Sequence, residues 1–135
     1  MRVRSVILTV FLLGVSVAPL TAHHSVAGFY DTTKVVTITG VITDIVWRNP
    51  HSSISMNVKE ADGSISSWRI ELAGTSNLAA VGFDRKFLDL TSSFTLETWS
   101  ARDGSKNATG RTLTLPDGRK FDVRDKFSVP APNTK

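Results

Sequence analysis

The segment that decides the fold reads VVTITGVITDIVW and spans residues 35–47. Nearly every residue in it is β-branched or aromatic, which favours an extended strand over a helix. Val36 and Ile38 share one face of that strand, whereas Val41 and Ile45 have the opposite parity. Because the apolar side changes at Gly40, we predict a bulge or sharp bend there, which would turn one long strand around a barrel corner.

Alternation of apolar and polar residues predicts further strands downstream. The second and third strands, over 54–58 and 68–72, flank Ala61-Asp62-Gly63, which has the residues of a tight hairpin. Between 74 and 83 the alternation stops, and we predict a short helix with Thr75 or Ser76 as its N-cap. The remaining strands are expected over 94–99, 109–115 and 120–123.

This order of elements is that of an OB-type barrel. We therefore predict a mainly β fold, a small five- or six-stranded OB-like barrel with one short helix between strands 3 and 4. The alternative is a small open β-sandwich, which would leave edges exposed in a chain without disulfides. Trp68 is expected in the core, and Trp99, opposite in parity to Phe94 and Leu96, is expected to be exposed.

The first 22 residues have the pattern of a cleaved secretory signal. Arg2 and Arg4 precede an uncharged apolar run over 6–17, and Thr21-Ala22 supplies small residues for a peptidase. The run is too short for a comfortable membrane span, so we predict a periplasmic or secreted protein with no membrane anchor after cleavage. The expected parts are a signal peptide over 1–22, a single β-barrel domain over 23–127 and a flexible tail over 128–135.

Composition removes several classes of chemistry. The chain has no cysteine, which excludes disulfides, a thiolate nucleophile and a thiolate metal site. Loss of two arginines with the signal lowers the formal net charge from +4 to +2, and the remaining cations are scattered among acids. We therefore predict no nucleic-acid partner. No acid–base pair is recognisable, since four acidic residues stand isolated, namely Asp31, Asp44, Glu71 and Glu97. No catalytic residue is therefore predicted.

The three histidines fall at only two places, His23-His24 and His51. Cleavage after Ala22 would leave His23 with a free amine and an imidazole, which together chelate a metal that prefers nitrogen ligands. A third nitrogen from His51 or His24 would complete a planar or T-shaped geometry that suits copper(II). Since the amine titrates near ~8 and histidine near ~6.5, the affinity should rise with pH through that range.

His51 follows Trp47-Arg48-Asn49-Pro50, where the proline marks a turn, and we expect the histidine on a loop between two strands. We predict a metal site formed by His23, His24 and His51, with copper as the ion and no other cofactor. In the alternative, the histidines are structural and the barrel is a non-metal binding module for a peptide, glycan or partner protein, recognised near Trp47 or Trp99. A third hypothesis is that the protein is a copper-dependent oxidative enzyme.

Four motifs in order, at 23–31, 39–43, 47–51 and 115–119, resemble a family of small exported bacterial proteins known as a domain of unknown function. The resemblance covers nearly the whole chain after residue 22. It implies a periplasmic β-barrel domain in which a His-His-Ser start accompanies an Asn-Pro-His turn, and it supplies no activity. The turn continues Ser52-Ser53-Ile54 here, whereas an aromatic residue often follows in relatives.

Overall fold

The computed structural model describes residues 26–125. The described residues contain six strands, two short α-helices and one 3-10 turn. The strands are β1 (Val36–Val46), β2 (His51–Lys59), β3 (Ile65–Ala73), β4 (Ser93–Ser100), β5 (Asn107–Thr114) and β6 (Lys120–Asp122). Helix α1 (Val26–Phe29) precedes β1, and α2 (Thr75–Ala80) and the 3-10 turn (Arg85–Phe87) lie between β3 and β4.

The strands close into a barrel of OB type. Their order is β3-β2-β1-β4-β5, and a parallel pairing between β3 and β5 joins the two ends. Strand β6 pairs with β5 as an additional strand outside the five-stranded barrel. The predicted OB-like barrel with a helix between strands 3 and 4 is confirmed, and the open sandwich is excluded. The one-turn helix α1 was not predicted.

Strand β1 changes its inward face, but not at the predicted position. Even-numbered residues face the core up to Ile42, and the register with β2 shifts between Ile42 and Asp44. The bulge therefore lies at Thr43 and not at Gly40. Gly40 meets a different need, because a Cβ there would lie 2.3 Å from the carbonyl oxygen of Asn57. Only glycine allows the two backbones to approach so closely.

The core lies inside the barrel and continues beneath α2. Leu78 of α2 and the following Phe83 are completely or almost completely buried, and the ring of Phe83 lies 5.9 Å from that of Trp47 and 5.1 Å from that of Phe121. This aromatic cluster holds the start of the β1–β2 loop against the helical segment. The buried apolar strand residues of this core are Ile38, Ile42, Ile54, Met56, Ile70, Leu72, Ala73, Phe94, Leu96, Ala108 and Leu113.

The predicted exposure of Trp99 is wrong. Trp99 has the predicted parity, opposite to Phe94 and Leu96, yet it is only 8% exposed. The guanidinium carbon of Arg111 lies 4.9 Å from the centroid of the Trp99 ring, a cation–π contact. Trp68 packs against the core, as predicted, although it remains partly exposed.

The barrel strands all fall within the predicted domain, 23–127. The predicted signal peptide over 1–22 and tail over 128–135 lie outside the described residues. Among residues 26–125, no helix is long and apolar enough to cross a membrane.

Candidate functional site

The sequence pattern predicted His51 on a loop, but His51 is the first residue of β2. It pairs with Ala73 of β3, and Ser53 pairs with Glu71, so His51 and Glu71 are diagonal neighbours. Ser52, Ile54 and the other even-numbered residues at this end of β2 are buried, which leaves the odd-numbered ones on the outer surface. The Nδ1 atom of His51 lies 2.9 Å from Oε1 of Glu71.

A second carboxylate reaches the same ring from the end of the described chain. After β6, the carbonyl of Val123 accepts a 2.9 Å hydrogen bond from the amide of Ala73, so this segment runs along the end of β3. Asp125 follows two residues later, and its Oδ2 lies 2.8 Å from Nε2 of His51. The Asp125 side chain is 15% exposed and that of His51 is 38% exposed, so Asp125 is the better shielded member of this pair.

The ring of His51 is therefore flanked by an acceptor on each side. A neutral imidazole carries one N–H and can donate to only one of the two carboxylates. If Nδ1 donates to Glu71, then the lone pair of Nε2 faces a carboxylate oxygen, and a cation must lie between them to offset their repulsion. A second ring proton can be that cation, and so can a metal ion.

The loop before His51 is anchored to α2. Oδ1 of Asn49 accepts a 3.2 Å hydrogen bond from the amide of Ser76, and Nδ2 of Asn49 donates to Oγ of the same serine over 3.1 Å. The N-cap position belongs to Gly74, which has no side chain for this purpose. The predicted cap at Thr75 or Ser76 is therefore wrong, because the capping group comes from a distant loop.

Gly74 is required where the loop and the helix meet. A Cβ on it would lie 2.3 Å from the carbonyl oxygen of Pro50 and 2.6 Å from Oδ1 of Asn49. This close approach holds the backbone that enters His51 directly against the start of α2. The Asn49–Pro50 peptide is cis.

Tyr30 brings the N-terminal segment close to this site. It follows α1 and forms a bridge with Ala101. Burial raises the pKa of Tyr30, the charge of Glu71 raises it further, and that of Arg69 lowers it. The charge of the carboxylate that contacts His51 therefore acts on the phenol of Tyr30.

An open groove of about 390 Å³ lies beside His51. It is bounded by the β1–β2 loop and by the outer residues of β2 and β3. The lining residues are Arg48, Asn49, Pro50, His51, Ser52, Ser53, Arg69 and Glu71.

The three predicted metal ligands are only partly covered by the structure. His51 is described, whereas His23 and His24 lie outside the described residues. Within 26–125, no group of three or more histidine, aspartate or glutamate side chains is arranged to hold a metal ion.

Sequence reasoning missed both carboxylate partners, and the description of Glu71 as isolated is wrong. The hairpin contains a signal for Glu71, because pairing of Lys59 with Ile65 sets the register that puts Ser53 opposite Glu71. Asp125 has no such signal, since it is 74 positions from His51 and arrives through barrel closure.

Fold and site together define a class, a small OB-type barrel with a histidine held between two carboxylates on its outer surface. The chain belongs to a family of unknown function, DUF6152, whose model matches residues 11–111. The predicted membership of a family of unknown function is thereby confirmed. The matched span includes the three histidines and Glu71 and ends before Asp125. No curated protein and no solved structure matches the chain.

Proposed function

We propose that this protein is exported, cleaved after Ala22, and binds copper(II) through His23 and His51, with His24 as a further ligand. The observation that carries the proposal is the opposition of Nε2 of His51 and Oδ2 of Asp125 at 2.8 Å. This contact has the geometry of a hydrogen bond in which the ring N–H donates. When the ring proton is on Nδ1 instead, both atoms are acceptors, and a metal ion can replace the proton that otherwise joins them. Copper(II) is such an ion, and imidazole is among its preferred ligands.

The spacing of these two atoms fits a shared ion. Adjacent ligands at about 2.0 Å from a square-planar ion are about 2.8 Å apart, which is the observed separation. Glu71, whose Oε1 lies 2.9 Å from Nδ1, would accept the proton of that nitrogen once a metal occupies Nε2. Asp125 thus joins the proposed ligand set, and Glu71 orients the histidine.

The position of Tyr30 supports participation of the N-terminal residues. Helix α1 accounts for about 6 Å of chain length, and three further residues add at most about 10 Å. A chain of this length can reach at most about 16 Å from Tyr30, and the charge of Glu71 contributes to the raised pKa of the Tyr30 phenol. That reach is compatible with a third nitrogen ligand from the terminus.

The second candidate is the non-metal binding module. One observation favours it, the groove beside His51 on the β2–β3 surface, because OB barrels commonly take ligands on this face. The burial of Trp99 argues against an aromatic ligand surface at that residue.

Copper titration of the processed chain tests the proposal. The chain is purified with His23 at its terminus, the terminus is verified by intact mass, and copper(II) is followed by electron spin resonance. We expect a tetragonal, nitrogen-rich signal at one equivalent that is altered in His51→Ala. No such signal, or one unchanged in His51→Ala, would overturn the proposal.

Two further variants separate the proposed roles. Glu71→Gln should weaken copper binding by about 10- to 100-fold, the usual loss when a group that orients a metal ligand is changed. Asp117→Asn is the matched control, since this exposed carboxylate pairs with Arg119 in another turn. An added alanine before His23 moves the amine and should remove its nitrogen from the signal.

A further inference from the structure

The arginines that line the groove differ from all the others in the described chain. Residues 26–125 contain seven arginines, and five of them hold a partner within the protein. Arg119 and Arg124 pair with Asp117 and Asp122, Arg85 and Arg102 donate to the carbonyls of Leu88 and Ala27, and Arg111 covers Trp99. Within the same range, the side chains of Arg48 and Arg69 form no ion pair and no hydrogen bond, and both line the groove.

The groove offers these two arginines a defined setting. Arg48 lies on the β1–β2 loop, where its amide donates to Oγ of Ser52 over 3.3 Å and its carbonyl accepts from the same hydroxyl over 3.1 Å. Arg69 lies on β3, opposite Ser55. Ser53 is the residue of β2 that lines the groove from the strand side. The loop and the sheet thus each supply one guanidinium to one cleft.

The negative charge in the groove is already engaged. Glu71 also lines it, and its Oε1 lies 2.9 Å from the His51 ring. Neither arginine takes Glu71 as a partner, although all three line the same cleft. The two guanidinium groups therefore remain available to a ligand.

We propose that this groove binds a small oxyanion, held by Arg48 and Arg69, with a hydrogen bond from the hydroxyl of Ser53. A guanidinium presents a planar fork of N–H donors that matches phosphate, sulfate and carboxylate groups, and such charge-assisted bonds are stronger than neutral ones. Two arginines are too few to track a polyanion, so the ligand is a small molecule or a single anionic group. The proposal uses no metal and does not rest on copper binding.

Titration of the metal-free processed chain with inorganic phosphate, sulfate and acetate tests this site. Chemical shifts are followed at constant ionic strength in the presence of a chelator. We expect saturable binding with shifts at the β1–β2 loop and at the outer residues of β2 and β3. Tighter binding of phosphate or sulfate identifies a tetrahedral oxyanion, and tighter binding of acetate identifies a carboxylate.

The variants Arg48→Gln and Arg69→Gln should each weaken binding about tenfold or more, the loss expected for one charge-assisted contact. Lys59→Gln is the control, because it removes one exposed positive charge from β2, the strand of Ser53, at a position outside the groove. The chain with an added alanine before His23 should retain anion binding, because this change alters the proposed copper terminus and no residue of the groove, which separates the two proposals. Absence of saturable binding, or an equal loss in Lys59→Gln, would overturn the inference.

Discussion

Substitution of Gly74 by alanine tests how the candidate site is built. The new Cβ would lie 2.3 Å from the carbonyl oxygen of Pro50, so the loop must move by about 1 Å to reach ordinary contact. Overpacking of this kind costs about 1–3 kcal/mol, and displacing the Asn49 cap from α2 costs about 1 kcal/mol more. We therefore expect Gly74→Ala to lower the free energy of unfolding by about 2–4 kcal/mol.

The assay is urea unfolding followed by tryptophan fluorescence, with the free energy obtained by linear extrapolation. The variant Asn49→Ala separates the two contributions, because it removes the cap without adding a Cβ at Gly74, and should cost about 1 kcal/mol. The melting temperature of Gly74→Ala should fall by about 10 °C or more.

Gly28→Ala is the matched control for this experiment. A Cβ on Gly28 meets nothing within 4 Å, and alanine is the better helix former, so α1 should tolerate or benefit from the change. If Gly74→Ala were as stable as Gly28→Ala, the close approach between α2 and the β1–β2 loop would not exist in solution. The account of how His51 is positioned would then fail.

Three further results are expected. Tyr30 is the only tyrosine in the chain, so tyrosinate absorbance reports its pKa directly. Glu71→Gln should lower that pKa and Arg69→Gln should raise it. An unchanged pKa in both variants would show that Tyr30 does not lie near the site. Amides of Ser92 and Thr91 lower the pKa of Asp89 from 3.8 to about 2, so its stabilisation, present above the unfolded value, is lost as the pH falls through about 2. Unfolding measured against pH should accordingly show a shallower acid slope in Asp89→Asn than in the unchanged protein. Copper affinity of the processed chain should rise with pH in calorimetric titrations, since its proposed ligands bind as deprotonated groups, and a pH-independent affinity would contradict that ligand set.

Much of the fold was predictable because its signals are local. Alternation along β2, the Ala61-Asp62-Gly63 hairpin and the break in alternation after Gly74 each act over a few residues. The predictions failed where contacts with a distant strand override the local alternation of apolar and polar residues. The inward face of β1 changes at Thr43 because the bulge is defined by pairing with β2, and Trp99 is buried because Arg111 of β5 covers its ring.

The candidate site was predictable only in part, for a related reason. His51 was singled out by the scarcity of histidines and by its place after Asn49-Pro50. Its helix anchor was not, since Asn49 caps a helix 27 positions away and no local pattern marks a cap supplied from another loop. The two arginines of the groove, which form no ion pair within residues 26–125, look like any other exposed arginines in the sequence.

The amino-acid pattern was sufficient to specify the strands, the hairpin, the helix position and therefore the OB-type order of elements, because side-chain periodicity and turn residues act on the nearby backbone. It also determined which residue types are available for chemistry. The tertiary structure alone decided that Glu71 and Asp125 flank His51, and that Arg48 and Arg69 share one groove. These neighbours meet only when strand register and barrel closure bring together chain segments that lie far apart in sequence.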